Sequence, residues 1–371
     1  MRSFGFILFF LIILALFGGA IAYVSNRFAL FFPSIPKKIW LLSFGSLAVI
    51  TFLSVSLFSI TPNPVGKALF IFAGIAISLF LFLLMSVAVT DLFNLVFKFP
   101  VQTRGYLSVG LASLLTMYSI WNAYTIRVKE VTIPIQGLTE EIRAAHITDI
   151  HLGNFRGKRG ADKVVRKIKE LNPDVVFNTG DMFDSQAHFA AGKDVLGSFR
   201  TLDIPHYFVY GNHDQHVGVP EVISQMKRAN ATVLLNEVTH FKELQIIGLN
   251  NMLVDHNSSD IHASAGSETI EETLNRLEIK EDVPTIVLHH RPDGVQYMEA
   301  KGADLLLSGH THAGQVFPFT YVAKLMFGYN RGLYKYKTMD IYVSEGIGTF
   351  FVPIRFLTSS EIILLKLIPL K

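Results

Sequence analysis

The stretch AAHITDIH, residues 144–151, joins a short, largely apolar run to an aspartate and a histidine that stand two positions apart. A run of this length predicts a buried strand over residues 144–148. Asp149 and His151 then follow directly at the carboxyl end of that strand. In α/β sheets, binding sites form just beyond the carboxyl ends of strands. This stretch therefore predicts an α/β domain in which functional side chains stand at strand ends.

The same arrangement recurs four more times along the chain. The further strands and the polar motifs that follow them are 174–178 with GDMFD at 180–184, 206–210 with GNHD at 211–214, 285–288 with HHRP at 289–292, and 304–307 with SGHTH at 308–312. Additional strands are predicted at 245–248 and 340–343, and helices at 161–171 and from Pro220 onward. Because strands and helices alternate, we predict one α/β domain with layered sheets.

The five motifs together indicate a metal site. Each motif alone is weak, because a DxH pair is usually a surface accident and GNHD is also found in turns. Their common position after strands allows the five loops to converge. Carboxylate, carboxamide and imidazole ligands suit Mn²⁺, Fe, Zn²⁺ or Mg²⁺, and the chain has no cysteine. The number of ligands is sufficient for two ions, so we predict a dinuclear site.

The order DxH, GDxxD, GNHD, HxP and GHTH resembles the calcineurin-like metallophosphoesterases. The resemblance implies a four-layer α/β/β/α domain that hydrolyses phosphoesters with water activated by two divalent ions, Mn²⁺ being the favoured metal. It also implies that His213, as an imidazolium, contacts the phosphate and assists the leaving group, and that Asp214 orients it. The implied ligands are Asp149, His151, Asp181 and His312 for one ion, and Asp181, Asn212, His290 and His310 for the other.

Three later segments, GHTHAGQ at 309–315, GIG at 346–348 and PIR at 353–355, resemble the membrane-associated branch of this family. That branch includes bacterial UDP-2,3-diacylglucosamine hydrolases of lipid A biosynthesis. The resemblance implies a lipid-linked nucleotide sugar that is cleaved to 2,3-diacylglucosamine 1-phosphate and UMP at the cytoplasmic face of a bacterial inner membrane. Two alternatives stay open, namely hydrolysis of another cell-envelope or nucleotide phosphodiester and a metal-binding membrane scaffold without turnover.

Two basic segments are candidates for substrate contact. Arg156, Lys158 and Arg159 lie on a glycine-rich loop directly after the DxH motif, where they can clamp a second phosphate or simply form a solvated turn. Residues 321–337 interleave tyrosines and a phenylalanine with lysines and an arginine. That mixture suits a membrane interface or a ligand wall, although an ordinary hairpin is the simpler interpretation.

The first part of the chain has a different composition. Residues 1–124 contain a single acidic residue, Asp91, and no histidine, whereas the whole chain has 13 histidines. Four uncharged stretches, 3–26, 39–66, 68–90 and 105–126, can each supply the roughly 20 apolar residues that cross a bilayer. We therefore predict a four-helix transmembrane anchor over residues 1–126 and a metallophosphoesterase domain over residues 127–371.

A cleaved signal peptide is the alternative for the first stretch, because Arg2 precedes it and Ala20-Ile21-Ala22 resembles a cleavage site. Positive charges are nearly balanced between the two sides, so the cytoplasmic placement rests on the implied function. The net charge of +3 combines a basic first part with an acidic second part, which argues against one basic surface for nucleic acid. The expected partners are the lipid bilayer and the lipid-linked substrate.

Overall fold

The chain folds into two compact units, Met1–Ile120 and Trp121–Lys371. The computed structural model describes residues 2–58, 64–184, 194–258 and 268–370. The first unit consists of long helices, and the last of these ends in the second unit. The helices are α1 (Arg2–Phe31), α2 (Lys37–Phe58), α3 (Pro64–Phe97) and α4 (Val101–Tyr124).

Three helices of the described chain are long and apolar enough to cross a membrane, over Leu14–Phe31, Lys37–Leu57 and Pro64–Phe97. The sequence predicted four such spans. Helix α4 has 24 residues, but it carries Arg104 and several hydroxyl residues, which lower its mean hydropathy. These three apolar helices indicate that the chain associates with a membrane. Helix α4 is long enough to span a bilayer, but it is less apolar than the other three.

Asp91, the acidic residue of the first unit, makes ion pairs and a hydrogen bond with neighbouring side chains. Its carboxylate lies 2.7 Å from Arg27 Nε and 3.5 Å from Arg104 Nη1, and it accepts a hydrogen bond of 2.7 Å from the Tyr23 hydroxyl. Charges near apolar helices are tolerated when they are paired in this way. The two arginines and the tyrosine therefore balance the negative charge of Asp91, which lies at the end of a predicted span.

Two six-stranded sheets form the centre of the second unit. The first has the order β1-β12-β2-β3-β4-β5, and the second has the order β10-β11-β9-β8-β7-β6. Strands β2, β3 and β4 are parallel to one another, as are β7, β8, β9 and β11. The strands are β1 (Ile126–Ile135), β2 (Ile142–Ile147), β3 (Val175–Asn178), β4 (His206–Phe208), β5 (Thr232–Val233), β6 (Glu237–Phe241), β7 (Leu244–Leu249), β8 (Thr285–His289), β9 (Leu305–Ser308), β10 (Gly332–Tyr336), β11 (Met339–Val343) and β12 (Ser360–Pro369).

Helices cover the outer face of each sheet, which confirms the predicted four-layer α/β/β/α arrangement. Phe177, Leu288 and Leu307 belong to the apolar layer between the sheets. Val164 of α5 and Met226 of α7 belong to the layer outside the first sheet, and α8 and α9 pack outside the second. The helices are α5 (Lys158–Leu171), α6 (Asn212–Val217), α7 (Val219–Arg228), α8 (Ile270–Arg276), α9 (Val295–Ala300) and α10 (Phe319–Met326).

All the strands predicted from the sequence are present, within a few residues of the predicted bounds. Strands β1 and β12 were not predicted, yet they form the longest ladder, in parallel register from Ile126↔Ser360 to Ile135↔Pro369. Charged residues interrupt β1, and its partner lies at the other end of the chain. A local pattern therefore could not reveal this pairing.

Candidate metal centre

Loops from both sheets meet at one edge of the second unit. The loops after β2 and β3 stay hydrogen-bonded beyond the strand ends, through Asp149 N to Gly180 O at 2.9 Å and His151 N to Asp181 O at 3.1 Å. The two sheets are joined where His310 N donates to Asp149 Oδ2 at 3.0 Å. The carboxyl ends of strands from two sheets therefore deliver their polar residues to a single point.

Imidazole and carboxylate groups form three overlapping clusters there, each with its ligand atoms within 4.8 Å of one another. These are Asp149, His151 and His312; His151, Asp181 and His213; and Asp149, Asp181 and His290. The ring nitrogens His151 Nε2 and His312 Nε2 lie 3.0 Å apart, and His312 Nε2 lies 3.4 Å from Asp149 Oδ1. The His290 Nε2 atom lies 3.1 Å from Asp181 Oδ2.

The two remaining predicted ligands adjoin these clusters. Asn212 Oδ1 lies 3.0 Å from His310 Nδ1, and the ring of His310 lies edge-on to that of His290 at 5.2 Å. The structure therefore brings together all the residues that the sequence offered as metal ligands. Their division between two ions stays a prediction.

The chemistry of this set fits divalent cations. Asp149 and His290 are fully buried, and Asp181 is 1% exposed. His290 Nε2 faces the carboxylates of Asp181 at 3.1 Å and Asp149 at 4.0 Å. The ring nitrogens His151 Nε2 and His312 Nε2 lie 3.0 Å apart. Buried charged groups are costly unless they are paired or coordinate a metal. Oxygen and imidazole ligands at this spacing suit a divalent ion, so the residues present fit the predicted metals.

A proton on His290 balances part of the negative charge of Asp149 and Asp181. Burial by itself would lower the pKa of His290, but the carboxylates of Asp181 and Asp149 outweigh it and raise that pKa to about 9. Burial would raise the pKa of Asp181, but His290 and His213 lower it overall. The carboxylates are therefore ionised at neutral pH, and a bound metal would displace the proton on His290.

The backbone at the ligand positions is strained. Five ligand residues have a positive φ in the left-handed region, which residues other than glycine rarely adopt. Each such residue costs on the order of 1–3 kcal/mol, and such strain is concentrated at functional sites. The residues are Asp149 (φ 52°), His151 (φ 50°), Asp181 (φ 50°), His310 (φ 70°) and His312 (φ 47°).

Comparison with known proteins identifies the family of this chain. The family described as Calcineurin-like phosphoesterase matches residues 142–314. An uncharacterized metallophosphoesterase of Helicobacter pylori strain J99 is 31% identical over 275 residues, which cover 72% of this chain and 71% of that protein. The chain belongs to the calcineurin-like metallophosphoesterases.

Two further relatives extend this comparison. An uncharacterized metallophosphoesterase of Helicobacter pylori strain 26695 is 33% identical over 247 residues, 66% of this chain and 64% of that protein. A transmembrane protein with metallophosphoesterase domain from Danio rerio is 31% identical over 270 residues, 69% of this chain and 61% of that protein. This chain therefore spans somewhat under two thirds of the length of these two relatives.

Two glycines of this metallophosphoesterase leave room for the carboxylates. A Cβ atom on Gly211 would collide with Asp181 Oδ1 and would lie 2.8 Å from the ring of His290. A Cβ atom on Gly309 would collide with Asp149 Oδ2. These positions require glycine because of close approach to a ligand.

The two predicted catalytic residues lie in this centre, but their surroundings differ from the expectation. Both oxygens of Asp214 accept backbone N–H groups, from Phe183 at 3.0 Å, from Gly211 at 3.1 Å and from Met182 at 3.2 Å. Asp214 thus holds two ligand loops against each other, and its role in orienting His213 stays a prediction. Burial and the charge of Asp181 raise the pKa of Asp214 to about 7, although the three N–H groups lower it.

The half-buried His213 lies at the edge of the centre. Its ring is edge-on to His151 at 4.7 Å and to Phe350 at 5.4 Å. Burial lowers the pKa of His213, and the Asp181 charge does not compensate. The ring is therefore mostly neutral at neutral pH, whereas the family resemblance implies an imidazolium. A phosphate bound beside it would raise this pKa again.

The three cations predicted to clamp phosphate differ in burial and in their contacts. Arg156 is buried, donates to Ala123 O at 2.9 Å and lies over the Tyr124 ring at 5.2 Å. Burial lowers its pKa to about 10. The guanidinium of Arg156 therefore fixes the loop to the end of α4, and its contact with a phosphate stays a prediction. Lys158 is exposed and paired with Asp162 at 3.0 Å, and Arg159 is exposed on α5.

Arg355 also belongs to this centre, although no motif in the sequence predicts a role for it. It is fully buried, and its Nη2 donates to Gly348 O at 2.8 Å and lies 3.0 Å from His312 Nδ1. Gly348 N in turn donates to Asp149 O. Burial lowers the pKa of His312, and the Arg355 charge lowers it further. Arg355 thus holds a ligand loop and keeps His312 in the neutral state that binds metal.

The close approach at Gly211 predicts loss of metal from the variant Gly211→Ala. The added methyl group displaces Asp181 and His290, so we expect less than about a tenth of the wild-type Mn²⁺ to remain after dialysis, in line with misplaced ligands. Gly328→Ala is the control, because its Cβ meets nothing within 4 Å. Equal Mn²⁺ content in both variants, measured by inductively coupled plasma mass spectrometry, would contradict the geometry.

The contacts of Arg355 predict weaker metal binding in Arg355→Met, which removes the donors at similar volume. Loss of partners that orient a ligand lowers affinity by about 10–100-fold, so the Mn²⁺ concentration for half-maximal phosphodiesterase activity should rise by that factor. Excess Mn²⁺ should restore the rate. The exposed Arg276→Met serves as control. An unchanged Mn²⁺ requirement in Arg355→Met would refute this role.

Proposed function

We propose that this chain is a metal-dependent phosphoester hydrolase that uses two divalent ions, with Mn²⁺ as the favoured metal. The observation that supports the proposal is the buried set of carboxylates and imidazoles, whose ligand atoms form three overlapping clusters, each within 4.8 Å. One ion is held by Asp149, His151, Asp181 and His312, and the second by Asp181, Asn212, His290 and His310. Because the ligand set is complete, we favour a hydrolase over a metal-binding scaffold without turnover.

The chain's own residues bind and position the reactants. When bound, the ions neutralise phosphoryl oxygens and activate the attacking water. His213 stands half-buried at the edge of the centre, with its backbone N–H fixed on Asp181 Oδ1 at 2.8 Å. Because the phosphate charge raises the pKa of His213, its ring acquires a proton with the substrate. That proton passes to the oxygen of the leaving group.

We also propose that hydrolysis takes place at a membrane. Three apolar helices support this location, and residues 1–126 act as the anchor for a catalytic domain over residues 127–371. An anchored enzyme meets substrates that stay in the bilayer without having to extract them into water. A lipid-linked phosphoester is therefore the substrate class that best explains the anchor.

Within that class we propose UDP-2,3-diacylglucosamine, cleaved to 2,3-diacylglucosamine 1-phosphate and UMP in lipid A biosynthesis. A centre of this kind can hydrolyse the P–O–P linkage in the pyrophosphate group of this substrate. The acyl chains of the substrate keep it at the membrane. This substrate requires a catalytic domain in the cytoplasm. A second candidate is a phosphodiester outside the cell, because three spans from a cytoplasmic N-terminus would lead to an external domain.

The proposed chemistry predicts Mn²⁺-dependent hydrolysis of bis(p-nitrophenyl) phosphate and release of UMP from UDP-2,3-diacylglucosamine. Asp181→Ala should lose activity together with metal. His213→Ala should keep its metal and lose about 10²–10⁴-fold in rate, the range for a general acid. The exposed His256→Ala is the matched control.

Activity that survives in both Asp181→Ala and His213→Ala would refute the catalytic assignment. Diester cleavage without UMP release would remove the lipid A substrate and favour the second candidate.

The proposed orientation predicts how an introduced cysteine reacts. The chain has no cysteine, so Lys227→Cys, at an exposed position of α7, provides a single thiol. We expect a membrane-impermeant maleimide to label it only after the cells are permeabilised. Labelling in intact cells would exclude a cytoplasmic site.

A further inference from the structure

A cavity of about 380 Å³ adjoins the metal centre. Its wall includes Ala313, which directly follows the ligand His312, and parts of α10 and of the segment before β10. The volume falls within the range of about 300–1,000 Å³ that small-molecule sites occupy. The lining residues with polar or large side chains include Tyr321, Lys324, Asn330, Arg331, Tyr334 and Leu357.

The cavity is fixed to the metal-ligand turn. Thr311, which stands between His310 and His312, donates its hydroxyl to Asn330 O at 2.5 Å. The ring of Phe327, at the end of α10, lies edge-on to the His310 ring at 5.4 Å. A molecule in the cavity therefore lies beside the ligands of the centre.

The lining is electropositive. Lys324 makes no ion pair or hydrogen bond within the part of the chain that the structure describes. Arg331 Nη1 donates to Leu357 O at 3.2 Å and lies 3.8 Å from Glu345. Asn330 is 7% exposed, and its Oδ1 is buried without a hydrogen-bond partner among the described residues. Its amide can present either oxygen or N–H₂ to a ligand. Two cations and an unsatisfied amide favour an anionic, hydrogen-bonding occupant.

An apolar surface borders the same cavity. Ala323 is the buried residue of α10, whereas Phe319, Val322 and Met326 are exposed, and Leu325 is 88% exposed. Leu357, on the cavity wall, is 61% exposed. A contiguous exposed apolar surface on a folded domain marks an interaction site.

We propose that the cavity binds a second anionic group of an amphiphilic phosphoester substrate, and that the exposed apolar side of α10 binds its hydrocarbon chain. The charges and the apolar surface are complementary to the two ends of one such molecule. The reacting phosphate lies on the metal ligands, the next phosphate lies against Lys324 and Arg331, and the chain lies along Leu325. This inference rests on the proposed hydrolase function, because it assigns the selectivity of the same centre.

Three probes separate these contributions in the full chain with Mn²⁺ in neutral detergent. Bis(p-nitrophenyl) phosphate has one phosphate and no chain, methyl diphosphate has two phosphates and no chain, and dodecyl diphosphate has both. In the diphosphates, water adds to one phosphorus and the P–O–P bond breaks, so that the alkyl phosphate and inorganic phosphate are released. All three reactions measure hydrolysis at one centre.

We expect Leu325→Asp to raise the KM for dodecyl diphosphate about tenfold, the effect of exposing roughly two methylene groups. The other two substrates should be unaffected. Lys324→Gln should raise KM for both diphosphates and leave bis(p-nitrophenyl) phosphate unchanged. The exposed residues Leu235 and Lys227, outside the cavity, provide the matched controls Leu235→Asp and Lys227→Gln.

Unchanged KM values in both cavity variants would overturn the inference while leaving the hydrolase intact. An equal loss on all three substrates would also overturn it, because a defect in folding or metal binding does not depend on chain length. Failure of the unaltered protein on every substrate would instead refute the proposed function itself.

Discussion

The structure depends on how two buried aspartates are compensated. Asp149 and Asp181 have ligand oxygens within 4.8 Å of each other and of His290. Two like charges at such a distance repel by about 3 kcal/mol at an effective dielectric constant of 20. Protonated His290 balances part of this negative charge, and divalent ions would balance all of it. The surrounding fold holds these charges in place before any metal binds.

Much of the second unit serves that purpose. Two sheets direct their strand ends to one edge, and the backbone N–H of His310 bridges them at Asp149 Oδ2, 3.0 Å away. Glycine at positions 211 and 309 allows the close approach, and the left-handed residues carry the strain. Asp214 and Arg355 then lock the loops, one through backbone N–H groups and the other through carbonyl groups. The turn that carries His310 and His312 also borders the basic cavity. The same turn therefore supports both substrate binding and hydrolysis.

The sequence predicted the parts that local patterns determine. Each motif follows an apolar run, so the central strands and the convergence of Asp149, Asp181, Asn212 and His290 can be predicted from the sequence alone. The β1–β12 ladder, the burial of Arg156 and the contacts of Arg355 could not, because each depends on segments that meet only in the folded chain. Arg156 looked like a surface cation because a loop sequence does not reveal which helix end will cover it.

Three helices of the described chain are long and apolar enough to cross a bilayer, and the apolar side of α10 gives the catalytic unit an apolar surface of its own. The ligand set would hold two divalent ions that share Asp181 as a ligand. Electron paramagnetic resonance of the metal-free protein reconstituted with Mn²⁺ tests this arrangement. We expect the signal of two exchange-coupled Mn²⁺ ions, and Asp181→Asn should abolish it. A spectrum of isolated, uncoupled Mn²⁺ in the unaltered protein would refute the shared ligand.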